Sequence, residues 1–369
     1  MTTVFVTGGS GFVGGRLIAR LIADGHTVRA LARSETSAKA IQALGATPVR
    51  ADLSSPETLR AAAAGAELAF HAAARTGGGS RAQFWADNVT GTANVIRATR
   101  EAGVRRLVHV GTEAALMNGQ PLVRVDETAP LRPDSRASYS ASKAAAEQLV
   151  RDADGSGMET VVLRPRFVWG AGDTTLLPRL KDMVESGHFS WIGGGRHLTD
   201  TTHIDNTVEG LVLAAERGRP GEAYFVTDGE PVVFRDFLTE LLATQHVTVP
   251  DRSLPYGVAR AIAGTAEALW RTLHLKGEPP LGYMGVWLSG LECTIDTAKA
   301  RTELGYRPVT TQQQGPRQYA HPHPLNLARP HIRPRALTPK PREHQCRRRR
   351  TPPRTGLQPT YPTSLARPG

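Results

Sequence analysis

Residues 3–14, TVFVTGGSGFVG, set an apolar β-branched run, a glycine-rich turn and the opening of an amphipathic pattern in immediate succession. The first five residues read as a buried strand. The segment that follows, "GFVGGRLIARLIADG", repeats apolar residues at i, i+3 and i+4, the signature of a helix packed on a sheet. A glycine at position 8 permits the tight turn, Gly11 lets backbone approach a pyrophosphate, and Gly14 lets helix and strand pack closely. Phosphates placed there would meet free N–H groups and the positive end of a helix. The stretch predicts a strand–turn–helix unit opening an α/β fold, with Gly8, Ser10, Gly11, Phe12, Val13 and Gly14 as a dinucleotide cradle.

Outward from this unit, short apolar runs recur at 27–32, 46–51, 67–72, 106–111 and 160–165, separated by helix-length segments, and a late run at 223–228 returns to the same pattern. Strands alternating with helices imply a doubly wound parallel sheet covered on both faces. The alternation loosens after about residue 166. We therefore expect a dinucleotide-binding domain over 1–165, with 205–228 returning to it, and a smaller substrate-binding domain from 166–204 and 229–314. Within the latter, 258–273 reads as a helix whose apolar stripe is Val258, Ile262, Ala266, Leu269 and Leu273; core packing, a substrate lid and a membrane-surface helix all fit that stripe.

The formal net charge is +11, which at first suggests a nucleic-acid or membrane partner. The charge is not spread evenly. Residues 316–369 hold eleven arginines, one lysine and one glutamate, so the preceding 315 residues are neutral. That extension also carries twelve prolines and few apolar residues, and is expected to be disordered over 315–369, with no part in chemistry and no specific nucleic-acid partner. Cys293 and Cys346 have no metal-ligand spacing, so no metal site is predicted, and a reducing, cytoplasmic setting fits. No signal peptide and no membrane span are read.

"YSASK", 139–143, places a tyrosine and a lysine one helical turn apart. Alone, that spacing fits a helix start with a solvated lysine as well as it fits catalysis. Together with the glycine-rich turn it resembles the extended short-chain dehydrogenase/reductases, the NAD-dependent epimerase/dehydratase superfamily with its Rossmann fold. Further matches come in order: "ADL" at 51–53, "HAAA" at 71–74, "NVTGT" at 88–92, "HVGTEAAL" at 109–116 and "LRPRFVWGAGD" at 163–173. The resemblance covers residues 1 to about 312 and is closest to the 3β-hydroxysteroid dehydrogenase branch.

It implies an NAD(P)-dependent oxidoreductase interconverting a secondary alcohol and a ketone, on a hydrophobic or steroid-like small molecule. Tyr139 would move the proton, Lys143 would lower the tyrosine pKa and hold the nicotinamide ribose, and Thr112 would stand where the family has serine, offering a donor and an acceptor to the substrate oxygen. Glu113 is an unusual neighbour there. The resemblance also assigns Asp52 and Leu53 to the adenine, and Ala72, Ala73, Ala74, Asn88, Pro165 and Val168 to the cofactor; Asn88 could equally be a helix cap. At the end of the second strand Arg33 and Ser34 stand where a carboxylate would bind the NAD ribose, so NADP is the expected cofactor, with NAD the alternative. Homodimerisation is left open. Two rival readings are a nucleotide-sugar epimerase or dehydratase, with Arg166 near the diphosphate position, and a cofactor-sensing binding protein.

Overall fold

A computed structural model of the chain describes residues 1–316, apart from His274, Lys276, Glu278 and the side chain of Arg271. Strands β1 (Thr3–Thr7), β2 (Thr27–Ala32), β3 (Thr47–Arg50), β4 (Leu68–His71), β5 (Arg106–Val110), β6 (Glu159–Pro165) and β7 (Ala223–Val226) form one sheet in the order 7-6-5-4-1-2-3. Every pairing in it is parallel. The strands expected at 46–51, 67–72 and 106–111 are each shorter by a residue or two at their ends, where pairing stops before the apolar run does.

Alternation explains why β1 reads as continuously apolar. Val4 and Val6 enter the core on one face, Phe5 enters the core on the other, and all three are buried. The first face is covered by α1 (Phe12–Ala23) and α7 (Ile204–Arg217), which two ion pairs also join, Arg16–Asp205 at 2.7 Å and Arg20–Glu209 at 2.8 Å. On the other face lie α3 (Pro56–Ala63), α4 (Gly91–Glu101) and α5 (Ser138–Asp152), through Leu59, Val95, Ile96 and Val150. The strand order reverses between β1 and β4. Loops leaving the carboxyl ends of these two strands diverge, and a crevice opens between them.

A second, four-stranded sheet pairs Val232–Val233, Leu198–Thr199, Cys293–Ile295 and Leu122–Val125 in that order. Its last strand comes from the first 165 residues, so the two sheets share chain in a way that composition did not reveal. Around it pack α6 (Leu176–Glu185), α8 (Phe234–Ala243), α9 (Tyr256–Thr272) and α10 (Tyr283–Gly290).

Helix α9 corrects one expectation. Its core contacts are made by the small residues Ala259 and Ala263, both fully buried, while Val258, Ile262, Leu269 and Leu273 are 44–59% exposed. The alanine face packs inward and the stripe points outward. Gly315, placed by composition in the extension, is buried against Trp169, where a Cβ would meet the indole at 2.2 Å. The remainder of the expected disordered segment, beyond Pro316, lies outside the described residues. Among the described residues no helix is long and apolar enough to cross a membrane.

The core contains titratable groups. His71 and His203 are both fully buried, and burial lowers their pKa to about 3 and about 4. Between about pH 4 and the ordinary value of 6.5 the unfolded chain therefore binds protons that the folded chain does not, and stability falls as pH falls. The slope is at most about 1.4 kcal/mol per pH unit for each histidine. Melting temperature measured from pH 7 to 4.5 should decline steadily; a flat profile would contradict the neutral burial of these rings.

Candidate active site

The glycine-rich turn is built by close backbone approach. Gly8 has φ +73°, and a Cβ on it would lie 2.7 Å from the Ala72 carbonyl carbon and the Ala73 nitrogen. A Cβ on Gly14 would lie 2.2 Å from the Gly8 carbonyl oxygen. Neither position admits another residue without moving backbone. Gly11 donates its N–H to that same oxygen at 3.0 Å and caps α1, and no side chain occupies the free N–H groups of the helix's first turn. An open helix start walled by glycine fits a pyrophosphate.

A cavity of about 2040 Å³ runs from this turn. Its wall includes Gly8, Gly11, Phe12, Val13, Gly14, Ala72, Ala74, Pro165 and Val168 from the expected cofactor set, together with Thr112, Tyr139 and Lys143. Ser10, Arg33, Asp52, Leu53, Ala73 and Asn88 are not on that wall. Arg33 and Asp52 are exposed at the ends of β2 and β3, where Ser54 hydrogen bonds and, more weakly, Arg33 hold the Asp52 carboxyl low. Ala73 donates its N–H to Thr7 Oγ1 at 3.3 Å.

Asn88 is neither a cap nor part of the cavity wall. It sits in a π-helical turn, Trp85–Thr90, ahead of α4, and is buried. Its Oδ1 accepts from the Arg75 N–H at 2.7 Å, and its Nδ2 donates to the Arg75 carbonyl at 3.0 Å and to Ser142 Oγ at 2.9 Å. The wider turn thus clamps the loop after β4 to helix α5, one residue before Lys143. Sequence gave no sign of this, because a single extra residue in a helical turn leaves the apolar periodicity almost unchanged.

Tyr139 and Lys143 stand one turn apart on α5. Lys143 is buried, donates to the Val110 carbonyl at 2.8 Å and lies 3.3 Å from His109 Nε2. Burial brings its pKa down to about 8 against the opposing pull of Glu147. Glu147 is itself buried in an ion pair with Arg164. His71 and His109, whose rings lie 5.1 Å apart, stay neutral through burial and the nearby ammonium.

Tyr139 departs from expectation. Its phenol pKa is raised, first by burial and then by the Glu113 carboxylate, with only the Thr112 hydroxyl acting in the other direction. The lysine gives one of its donors to a backbone carbonyl, and burial and the Glu113 carboxylate hold the phenol protonated. Thr112 differs too: its hydroxyl donates to Glu113 Oε2 at 2.7 Å and accepts from the Ala114 N–H at 3.2 Å. Glu113 pairs with Arg166, which is fully buried and also donates to Thr199 Oγ1 at 2.9 Å. Arg166 is therefore committed inside the protein, away from any diphosphate.

The profile of the 3-beta hydroxysteroid dehydrogenase/isomerase family matches residues 5–256. The chain belongs to this family. It is 50% identical over 312 residues to a 4-hydroxy-2-methyl-3-oxo-4-farnesyl-3,4-dihydroquinoline-1-oxide ketoreductase of Stigmatella aurantiaca, covering 84% of this chain and 93% of that one. A 2-alkyl-3-oxoalkanoate reductase of Stenotrophomonas maltophilia is 37% identical, over 85% and 97% of the two chains. In fold it is similar to a dTDP-glucose 4,6-dehydratase from Streptomyces venezuelae solved with NAD bound, with TM-score 0.66, 23% identity and coverage of 86% and 96%. The protein is thus an NAD(P)-dependent dehydrogenase/reductase of the extended short-chain class.

Replacing Tyr139 by Phe should lower turnover at least about 100-fold, because a positioned proton donor commonly contributes 10² to 10⁴. Cofactor affinity, read by titration, should barely change. Turnover retained in Tyr139→Phe would remove the tyrosine from the chemistry.

Proposed function

We propose that the protein reduces a ketone to a secondary alcohol, or runs the reverse, on a hydrophobic small molecule, with NADP as the preferred cofactor. One observation carries the reading: the glycine turn, Tyr139, Thr112 and Lys143 line a single cavity whose further walls are largely apolar, among them Phe167, Trp191, Leu238, Trp270 and Met284. A bulky ring system or alkyl chain suits such walls. The substrates named for the two relatives, a farnesylated quinoline ketone and 2-alkyl-3-oxoalkanoates, fit the same description. The commitment of Arg166 to Glu113 counts against a nucleotide sugar.

When bound, the reduced nicotinamide would supply hydride to the carbonyl carbon. The chain's own residues do the rest in this reading. Gly8, Gly11 and Gly14 seat the pyrophosphate, Lys143 holds the ribose, and Tyr139 gives its proton to the carbonyl oxygen as the C–O double bond becomes a single bond. The phenol carries the proton this step needs, and its raised pKa makes it a weaker acid than a free tyrosine. Arg33, exposed at the end of β2, would pair with a 2′-phosphate. A cytoplasmic setting belongs to the same reading and rests on the cysteine pattern.

Two measurements test it. The purified protein with 2-alkyl-3-oxo acids, prenylated quinoline ketones and hydroxysteroids should turn over free NADPH or NADP with at least one of these classes; an epimerase would leave free cofactor unconsumed. Arg33→Ala should weaken NADP binding by about tenfold or more and leave NAD binding nearly unaltered, since a charged hydrogen bond to phosphate contributes about 1.5–3 kcal/mol. Equal loss of both cofactors would take the 2′-phosphate away from Arg33.

A further inference from the structure

Two buried histidines face each other across β4 and β5, and the hydrogens around them can be counted. His71 has both ring nitrogens engaged, Nδ1 by Thr7 Oγ1 at 2.7 Å and Nε2 by Thr92 Oγ1 at 2.9 Å. The Thr92 hydroxyl gives its hydrogen to the Asn88 carbonyl at 2.5 Å, so toward His71 it can only accept. His71 therefore carries its proton on Nε2. Its Nδ1 takes the hydrogen of Thr7, whose oxygen in turn accepts the Ala73 N–H at 3.3 Å. This ring has nothing left to offer Lys143.

His109 meets the lysine itself: its Nε2 lies 3.3 Å from Lys143 Nζ. Burial brings the lysine down only to about 8, so near neutral pH it is an ammonium, with three hydrogens and no lone pair. An Nε2–H tautomer of His109 would aim a hydrogen at those of the ammonium. Nε2 must be the acceptor instead. The proton of this neutral ring then sits on Nδ1, which is buried and meets no protein partner among the described residues.

We propose that His109 is a positioning residue for Lys143: its Nε2 accepts one ammonium hydrogen, the Val110 carbonyl accepts a second at 2.8 Å, and the third is left for the cofactor ribose. The two anchors are adjacent residues of one strand, so they restrain rotation of the ammonium as well as its place. The ribose part rests on the reading of Lys143 given above; the tautomer does not. His71 and His109 thus carry opposite tautomers, although both are buried and their rings lie 5.1 Å apart. Few other groups bear on the lysine. Glu147, one turn further along α5, favours the ammonium through its charge and is itself paired with Arg164. Tyr139, one turn before it, is held protonated, and His71 is neutral.

Magnetic resonance reads the tautomer. In long-range ¹H–¹⁵N spectra of the full chain near neutral pH, with the His109 signals assigned by their loss in His109→Gln, the proton should be found on Nδ1. A proton on Nε2, or on both nitrogens, overturns the proposal. Cofactor titration reads the consequence. His109→Leu should weaken NADP binding near neutral pH by about tenfold or more, as loss of a hydrogen bond to a charged group implies, and His109→Gln, whose side-chain oxygen can accept in place of Nε2, should recover most of it. Affinity in the parent should fall above about pH 8 as Lys143 loses its proton, and in His109→Leu that fall should begin about one pH unit lower. A general loosening of the fold would lower the melting temperature without moving that midpoint, so an unmoved midpoint in folded His109→Leu also overturns the proposal. Should His109→Leu not fold, the parent's tautomer decides. Absence of cofactor binding by the parent would instead count against the ribose role of Lys143, and the tautomer would again be the deciding measurement.

Discussion

A buried guanidinium is the constraint around which the site is arranged. Removing Arg166 from water costs several kcal/mol, and that cost is offset only if its donors meet acceptors in good geometry. Those acceptors come from separate parts of the fold: Glu113 from the segment after β5, and Thr199 from the small sheet. The backbone N–H of Arg166 adds a third link, to Thr202 Oγ1 at 2.9 Å. The need to satisfy one cation thus ties the segment after β5 and the small sheet to the end of β6. It also brings a carboxylate whose charge raises the Tyr139 phenol pKa.

A second buried pair repeats this logic on the cofactor side. Arg164 and Glu147 are both fully buried, and Glu147 lies one turn beyond Lys143 on α5. The two arginines are two residues apart on one strand and its exit, and each holds a carboxylate beside one member of the Tyr–Lys pair. Glu147 favours the charged lysine; Glu113 favours the neutral tyrosine. Both carboxylates favour the protonated form of their neighbour; burial works against that form at the lysine and with it at the tyrosine, so Lys143 titrates below and Tyr139 above its ordinary value.

Much of this was legible in the sequence, and the parts that were not share a cause. Strand–helix alternation and the glycine spacing gave the parallel sheet and its cradle, because both are set by local periodicity and by backbone sterics. The late strand at Ala223–Val226 was legible for the same reason. The roles of Glu113 and Arg166 were not: a charge that folds into a core looks like any surface charge until its partner, 53 positions away, is known. For α9 the error was one of face. A stripe of large apolar residues normally marks the buried side, but here alanines face the core and the bulk lies outside. Leu122–Val125 was missed because a four-residue strand with two exposed members carries almost no pattern.

The π-helical turn at Trp85–Thr90 sets a different kind of limit on the protein. Side chains around a helix advance by about 100° per residue, so one inserted residue shifts everything beyond it to a new azimuth. In this chain that shift points Asn88 toward Arg75 and Ser142 while Thr92, one turn later, still meets His71. Composition along the segment can drift as long as these contacts survive, but length cannot. Losing a single residue would restore an ordinary α-helix and turn either Asn88 or Thr92 away from its partner. The segment behaves like a vernier between two rigid parts, and its count of residues is held more tightly than their identities.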